Sequence, residues 1–305
     1  MNWKPRSALL AAVIGLALTA AACGSSPSTS STTPKGTITV AGFKFSEGSV
    51  LAELYGQALQ HDGYTVTFKL NLGSREVVAP AIKSSQVDLY IGYAATDLEF
   101  YNSSAGEATG DVTATTSKLN SHLQPLNLVA LNPSSAVDQN AFAMTKANST
   151  KYNATKLSDL AAIGGQLVLG AGPECPTRPF CQPGLQKTYG INFKSFKALD
   201  TDGPLTRAAL KNNDIQVGLV FSSDADLSSL GLVTLQDDKH LENADNVVPI
   251  VRTPVATSEV KKVLNAVSAG LTTADLVNLN SQVELQHMDP DVVTKAYLQQ
   301  HNYFS

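Results

Sequence analysis

The chain has 305 residues, 43% of them hydrophobic and 16% charged, with 22 Lys and Arg against 26 Asp and Glu for a net charge of −4. That much apolar material excludes a collagen-like or charge-rich disordered chain, and the length predicts two lobes rather than one. No basic run occurs past the first residues, which argues against nucleic acid as a partner.

Residues 1–22 read as a secretory signal. Lys4 and Arg6 supply its positive start. The apolar stretch at 8–18 is too short for a bilayer span, which takes about 20 residues. Losing those two cations leaves 20 Lys and Arg against 26 Asp and Glu, or −6. Ala20, Ala21 and Ala22 stand directly before Cys23. Small residues before a cysteine resemble the lipobox of bacterial lipoproteins, which implies that Cys23 is lipidated. Ala20 stands where that motif usually carries a bulkier residue, and the same alanines also fit an ordinary Ala-x-Ala cleavage site. Residues 24–35 (GSSPSTSSTTPK) have nothing to bury and suit a tether. The body is therefore expected outside the cytoplasm, anchored by Cys23 to the outer face of the cell membrane, with residues 23–35 as its leash.

Lipidation of Cys23 leaves Cys175 and Cys181, which enclose PTRPF. In an oxidising compartment this pair closes a disulfide around a Pro-rich loop. A metal site is the rival, but two thiolates are too few and no histidine lies near them in sequence.

The body then carries one pattern twice. Residues 37–41 (TITVA) read as a buried strand, and Ser46 is a good N-cap for a helix with Val50, Leu51, Leu54, Tyr55 and Ala58 on one side. Gly63 stops it, and residues 64–71 alternate as a strand. Gly73 and Ser74 open a second helix, in which Pro80 predicts a kink or a late start. Residues 86–91 form a third strand that runs into Gly92 and Tyr93. The second copy has a strand at 166–170, the cysteine loop, a helix at 184–189 and a strand at 192–197. A helix with Pro204 at its first position follows, and a strand at 215–220 runs into Phe221. The tail is helical, with starts at Thr257 or Ser258, at Thr272 with Asp275, and at Asp289 before Pro290.

Each copy is β-loop-α-β-α-β, which predicts an α/β fold of two lobes, each a mostly parallel sheet flanked by helices. If the tail returns to the first lobe, the chain crosses near 138–142 and 241–247. The first lobe is then 36–140 with 246–305, and the second is 141–245. Two crossovers make a hinge. Ligands of such sheets bind beyond the carboxyl ends of the strands, which can face one another across a cleft. A dehydrogenase-like double fold is the rival, but Gly170-Ala171-Gly172 lacks a third glycine and Pro173 follows.

The blocks GFKFSEGSVLAELYGQAL, LNLGSREVVAPAI, QVDLYIGYAAT, DQNAFAMT, PECPTRPFCQPGLQKTYGI, PLTRAALKNNDIQVGLVFSSD, LQDDKHLENADNVVPIVR, LTTADLVNLNSQVE and DPDVVTKAYL occur in that order across residues 36–303. In them the chain resembles the substrate-binding lipoproteins of ABC importers for osmoprotectants: glycine betaine, choline, carnitine and proline betaine. The resemblance implies a type II periplasmic-binding-protein fold, no catalysis, no cofactor, ABC permease subunits as membrane partners, and a body that works as a monomer.

A quaternary ammonium donates no hydrogen bond and is held by aromatic faces, while a carboxylate wants a bidentate arginine. Tyr93 and Phe221 each follow closely on the third strand of their lobe, which predicts both at the cleft. Arg178 resembles the family's ligand-carboxylate arginine, Phe142 a further cage aromatic, and Asn140 a polar contact. Lys44, Phe45, Ser74 and Thr96 complete the candidates. Structural alternatives stand beside them: Tyr93 packing a loop, Phe221 in the core, Phe142 interior to a strand, Ser74 as a cap, and Arg178 paired with Glu174. The resemblance is incomplete at 90–96, where a glutamate, a threonine and a glycine are missing, and near Ala244, where a cage aromatic is absent. Three cation–π contacts supply about 1.5–6 kcal/mol against the ~8 kcal/mol of a micromolar ligand, so Arg178 and lobe closure must add the rest. An amino acid or polyamine is the alternative solute. A secreted hydrolase is a weaker alternative, since no H-E-x-x-H, G-x-S-x-G or P-loop occurs.

Overall fold

The computed structural model describes residues 35–303. The expected secretory signal, Cys23 and all but the last residue of the expected tether lie outside them. Lys35, that last residue, pairs with Asp62 at 2.9 Å.

β1 (Thr37–Phe43) is buried at most positions, and α1 (Ser46–His61) lays Val50, Leu51, Leu54, Tyr55 and Leu59 into the same core. β2 (Thr65–Gly73) alternates between exposed and half-buried because it is an edge strand. α2 (Arg75–Lys83) starts directly after Ser74 and runs through Pro80, so the late start expected from that proline does not occur. Pro80 sits on the exposed face. β3 (Leu89–Tyr93) is buried throughout, as a central strand with helices on both faces should be. α3 (Ala94–Tyr101), α4 (Val112–Leu123) and the short β4 (Leu128–Ala130) follow.

The second sheet opens with β5 (Asn140–Thr145) and α5 (Lys146–Tyr152), then β6 (Val168–Ala171), α6 (Gln182–Tyr189), β7 (Ser195–Ala198), α7 (Pro204–Lys211), β8 (Val217–Phe221) and β9 (Leu232–Leu235). β5 shows the two-residue period of a strand with a core layer on each side. Phe142 and Met144 join Cys175, Leu185 and Leu219, while Ala143 joins Leu210 and Val220. β10 (Val247–Arg252) then re-enters the first sheet, and α8 (Ser258–Gly270), α9 (Thr273–Glu284) and α10 (Pro290–Gln300) pack on α1. Thr257 caps α8, and Thr272 with Asp275 forms a complete capping box on α9. Among the described residues no helix is long and apolar enough to cross a membrane.

The sheets have equivalent orders, β2-β1-β3-β10-β4 and β7-β6-β8-β5-β9. The strands of each repeat pair in parallel, as the pattern predicts. β10 and β5 run antiparallel to both of their neighbours, which makes the sheets mixed. The reason is geometric. Each enters its sheet from the other lobe, at the end where the repeat strands finish, so it must run the opposite way. The two crossings lie side by side, with Val137 bridging Asn246 and the Asp138 N–H donating to the Asp245 carbonyl at 3.1 Å.

Candidate ligand-binding site

The carboxyl ends of β1, β2 and β3 face those of β6, β7 and β8, and a cavity of about 610 Å³ lies between them. Lys44, Phe45, Ser74, Tyr93, Thr96, Asn140, Arg178 and Phe221 all line it.

Phe142 does not. It is 1% exposed and sits in the second lobe's core, the strand-interior alternative. On β5 it shares a face with Asn140, but it pairs with Leu219, whereas Asn140 pairs with Phe221. Two residues along a strand is about 7 Å, and that step takes the ring below the cleft floor.

Three rings form a continuous surface across the gap. Phe45 meets Phe221 of the other lobe at 5.1 Å between centroids and Tyr93 at 6.5 Å. Behind it Phe43 stacks on Phe45 at 5.8 Å. The Tyr93 hydroxyl is turned away from solvent and donates to Glu47 Oε1 at 2.5 Å. Glu47 Oε2 accepts from Ser223 at 2.7 Å and from Asn280 at 2.6 Å. The Ser223 N–H donates to Asp138 Oδ1 at 3.1 Å. This buried chain ties α1, α9 and the end of β3 to the loop after β8 and to the crossing segment. Burial pushes the Glu47 carboxyl up, and its three hydrogen bonds oppose that.

Arg178 rides on the loop closed by the Cys175–Cys181 disulfide, whose Cα atoms are 5.2 Å apart. Its partner is Glu76 of α2, in the opposite lobe, and not Glu174. Arg178 Nε donates to Glu76 Oε1 at 2.9 Å and Nη2 donates to Oε2 at 3.0 Å. The guanidinium also stands over the Phe100 ring at 6.0 Å. Glu174 instead accepts from the Thr201 hydroxyl at 2.9 Å. Ser74 precedes α2 but makes no side-chain cap, and its hydroxyl donates to Glu76 Oε2 at 2.6 Å. Asn140 Nδ2 donates to the Phe180 carbonyl at 3.0 Å. The Thr96 hydroxyl is spent on Asp245 Oδ2 at 2.5 Å, and its N–H donates to Oδ1 at 2.7 Å.

One buried node sets the first lobe's side of the cavity. Asp97 accepts from Arg75 Nε at 2.6 Å, from the Tyr90 hydroxyl at 2.9 Å and from the Tyr93 N–H at 2.9 Å. It thereby fixes the start of α2 against the end of β3. Gly92 leaves room for it, since a Cβ there would lie 2.0 Å from Asp97 Oδ2. Glu47, Glu76, Asp97, Phe100 and Asp245 all went unflagged in sequence reading. Each looks like an ordinary helix or loop residue until the fold brings its partner to it.

Burial raises the Asp245 carboxyl to about 6, against the bonds it accepts from Thr96. The folded protein keeps this proton where an unfolded carboxyl near ~3.9 has lost it. The penalty is complete above the folded value and vanishes below the unfolded one. Between them stability falls as pH rises, by at most ~1.4 kcal/mol per unit from this group. Urea unfolding of wild type and Asp245→Asn at pH 7 and pH 5 checks this. The difference between them should move in favour of wild type at the lower pH, and a pH-independent difference would reject it.

Two matching lobes, facing strand ends and a lined cleft bridged by a double crossing define a two-lobed solute-binding protein. The family described as the substrate binding domain of the ABC-type glycine betaine transport system matches residues 36–300, and the chain belongs to that family. It is 27% identical over 267 residues to the glycine betaine-binding protein YehZ of Escherichia coli K12, covering 83% of this chain and 87% of that one. A glycine-betaine-binding protein of Pseudomonas aeruginosa is also 27% identical, over 277 residues, 87% of this chain and 88% of its own. The carnitine transport binding protein OpuCC of Listeria monocytogenes is 24% identical over 281 residues, 88% of each. Among solved structures, a glycine betaine/carnitine/choline ABC transporter protein superposes with a TM-score of 0.67 at 22% identity, over 88% of this chain and 100% of that one. Lactococcal OpuAC, closed on glycine betaine, gives 0.62 at 16% identity, over 88% and 100%. The two structures support the two-lobed α/β fold. The chain is the extracytoplasmic substrate-binding component of an ABC importer, not an enzyme, and works with ABC permease subunits.

Proposed function

We propose that this protein captures a quaternary-ammonium solute of the glycine betaine, choline and carnitine class and closes on it by hinge motion. The observation that carries this reading is the run of Phe45, Tyr93 and Phe221 across the gap, with rings from both lobes on one cavity. A cation without N–H groups gains from ring faces what it cannot gain from hydrogen bonds. Rings supplied by both lobes add contacts only when the lobes come together, so the ligand favours the closed form. Buried Glu47 holds the Tyr93 hydroxyl, and so fixes that ring at the cavity wall. Arg178 lines the opposite wall, where its Nε and Nη2 are held by Glu76 of the other lobe. The relatives named for glycine betaine and carnitine support the same solute class. The body acts as a monomer hung from lipidated Cys23 at the outer face of the membrane, and hands its solute to the permease.

Titration calorimetry of the purified body tests the solute class against choline, glycine betaine, carnitine, an amino acid mixture and spermidine. Heat with at least one quaternary ammonium is expected. Heat with spermidine or an amino acid alone moves the site to that class, and no heat with any quaternary ammonium defeats the reading.

A further inference from the structure

We propose that Glu76 is a specificity-determining residue: by occupying the fork of Arg178 it disfavours solutes that carry a carboxylate relative to those that do not. This rests on the quaternary-ammonium reading above and narrows it. The two bonds from Nε and Nη2 to Glu76 are the pairing a ligand carboxylate would itself seek. A carboxylated ligand must displace Glu76, or share one guanidinium with a second anion. Both cost it binding energy that an alcohol such as choline never has to find.

Glu76 is well placed to resist displacement. It lies in the first turn of α2, where the helix N-terminus favours an anion, and Ser74 donates a further bond to it. Its carboxyl is held below the ordinary range; burial opposes this, and Ser74 and Arg178 outweigh it. The rest of the lining gives a carboxylate little help. Arg75 is already paired with Asp97 at 2.6 Å, and Lys44 is exposed. Glu99, Asp138, Glu174 and Asp245 line the same space. The cavity thus offers ring faces and carboxyl oxygens to a cation, and an arginine whose side-on edge is taken to an anion.

Because Glu76 and Arg178 come from opposite lobes, the pair could instead serve as a latch on the closed form, and the test separates the two roles. Titration calorimetry with choline and with glycine betaine is run on wild type, Glu76→Gln and the double variant Glu76→Gln/Arg178→Ala. Wild type should bind choline the more tightly. Glu76→Gln should gain about tenfold or more for glycine betaine, the scale of one charge-assisted hydrogen bond, while choline shifts by less than about threefold. The double variant should lose the gain. Equal changes for both solutes in Glu76→Gln would leave a latch and overturn the specificity role. No binding of either solute by wild type or variants would instead overturn the solute class. The Glu76 side chain is 42% exposed, so the substitution leaves the core intact, and a thermal melt of each variant verifies that.

Discussion

Replacing Asp97 by alanine is expected to cost about 3–5 kcal/mol of unfolding free energy, the scale for stranding one member of a buried ion pair. Asp97 has no exposed surface and accepts from Arg75, Tyr90 and the Tyr93 N–H. Its loss leaves a guanidinium and a hydroxyl in the core without the acceptor they were desolvated to meet. Arg75 is itself 6% exposed, so water cannot take the carboxylate's place without opening the turn before α2. The double variant Asp97→Ala/Arg75→Met should be more stable than Asp97→Ala alone, because no charge then stays buried. Urea denaturation of the three proteins reads both effects. A loss below about 1 kcal/mol in the single variant would mean that the node is not a tight pair in solution.

The second large effect concerns affinity. For a quaternary ammonium that wild type binds, Phe45→Ala and Phe221→Ala should each weaken binding about tenfold to thirtyfold, and the two together more than either. The rings lie in different lobes and touch at 5.1 Å, so removing one opens the contact that the other makes across the gap. Phe221→Leu separates the causes, since leucine keeps much of the apolar area but has no ring quadrupole. If Phe221→Leu binds as wild type does, the site selects by shape and area, and the cation–π account is wrong.

The repeated half of the fold was legible because hydrophobic period and turn residues are local signals. β1, β6 and β8 each end in a short apolar run before a loop, β3 ends in one that runs straight into α3, and Pro204 and Thr272 announce their helices directly. β5 and β10 were not read as sheet members. Their placement between β8 and β9, and between β3 and β4, depends on pairing across more than 70 residues, which no window sees. The site divides in the same way. Tyr93 and Phe221 could be placed by the repeat, since each closes the equivalent strand of its lobe. Phe142 was misplaced because a motif fixes a position along the chain but not the depth of a side chain. Glu76 was invisible as the partner of Arg178 because the two are 102 residues apart and in different lobes. Nothing in RPF or SRE marks the one for the other.

The two crossing strands also set an order of assembly. A chain read out from its amino end has the whole second sheet in hand once β9 is complete at Leu235. The first sheet at that moment still lacks its fourth strand in spatial order, and β4 has no neighbour to pair with until Val247–Arg252 arrives. The helices that cover α1 come later still. The half of the molecule that begins first therefore finishes last, and a chain cut short before the second crossing would carry one finished sheet beside one whose edge strand is stranded.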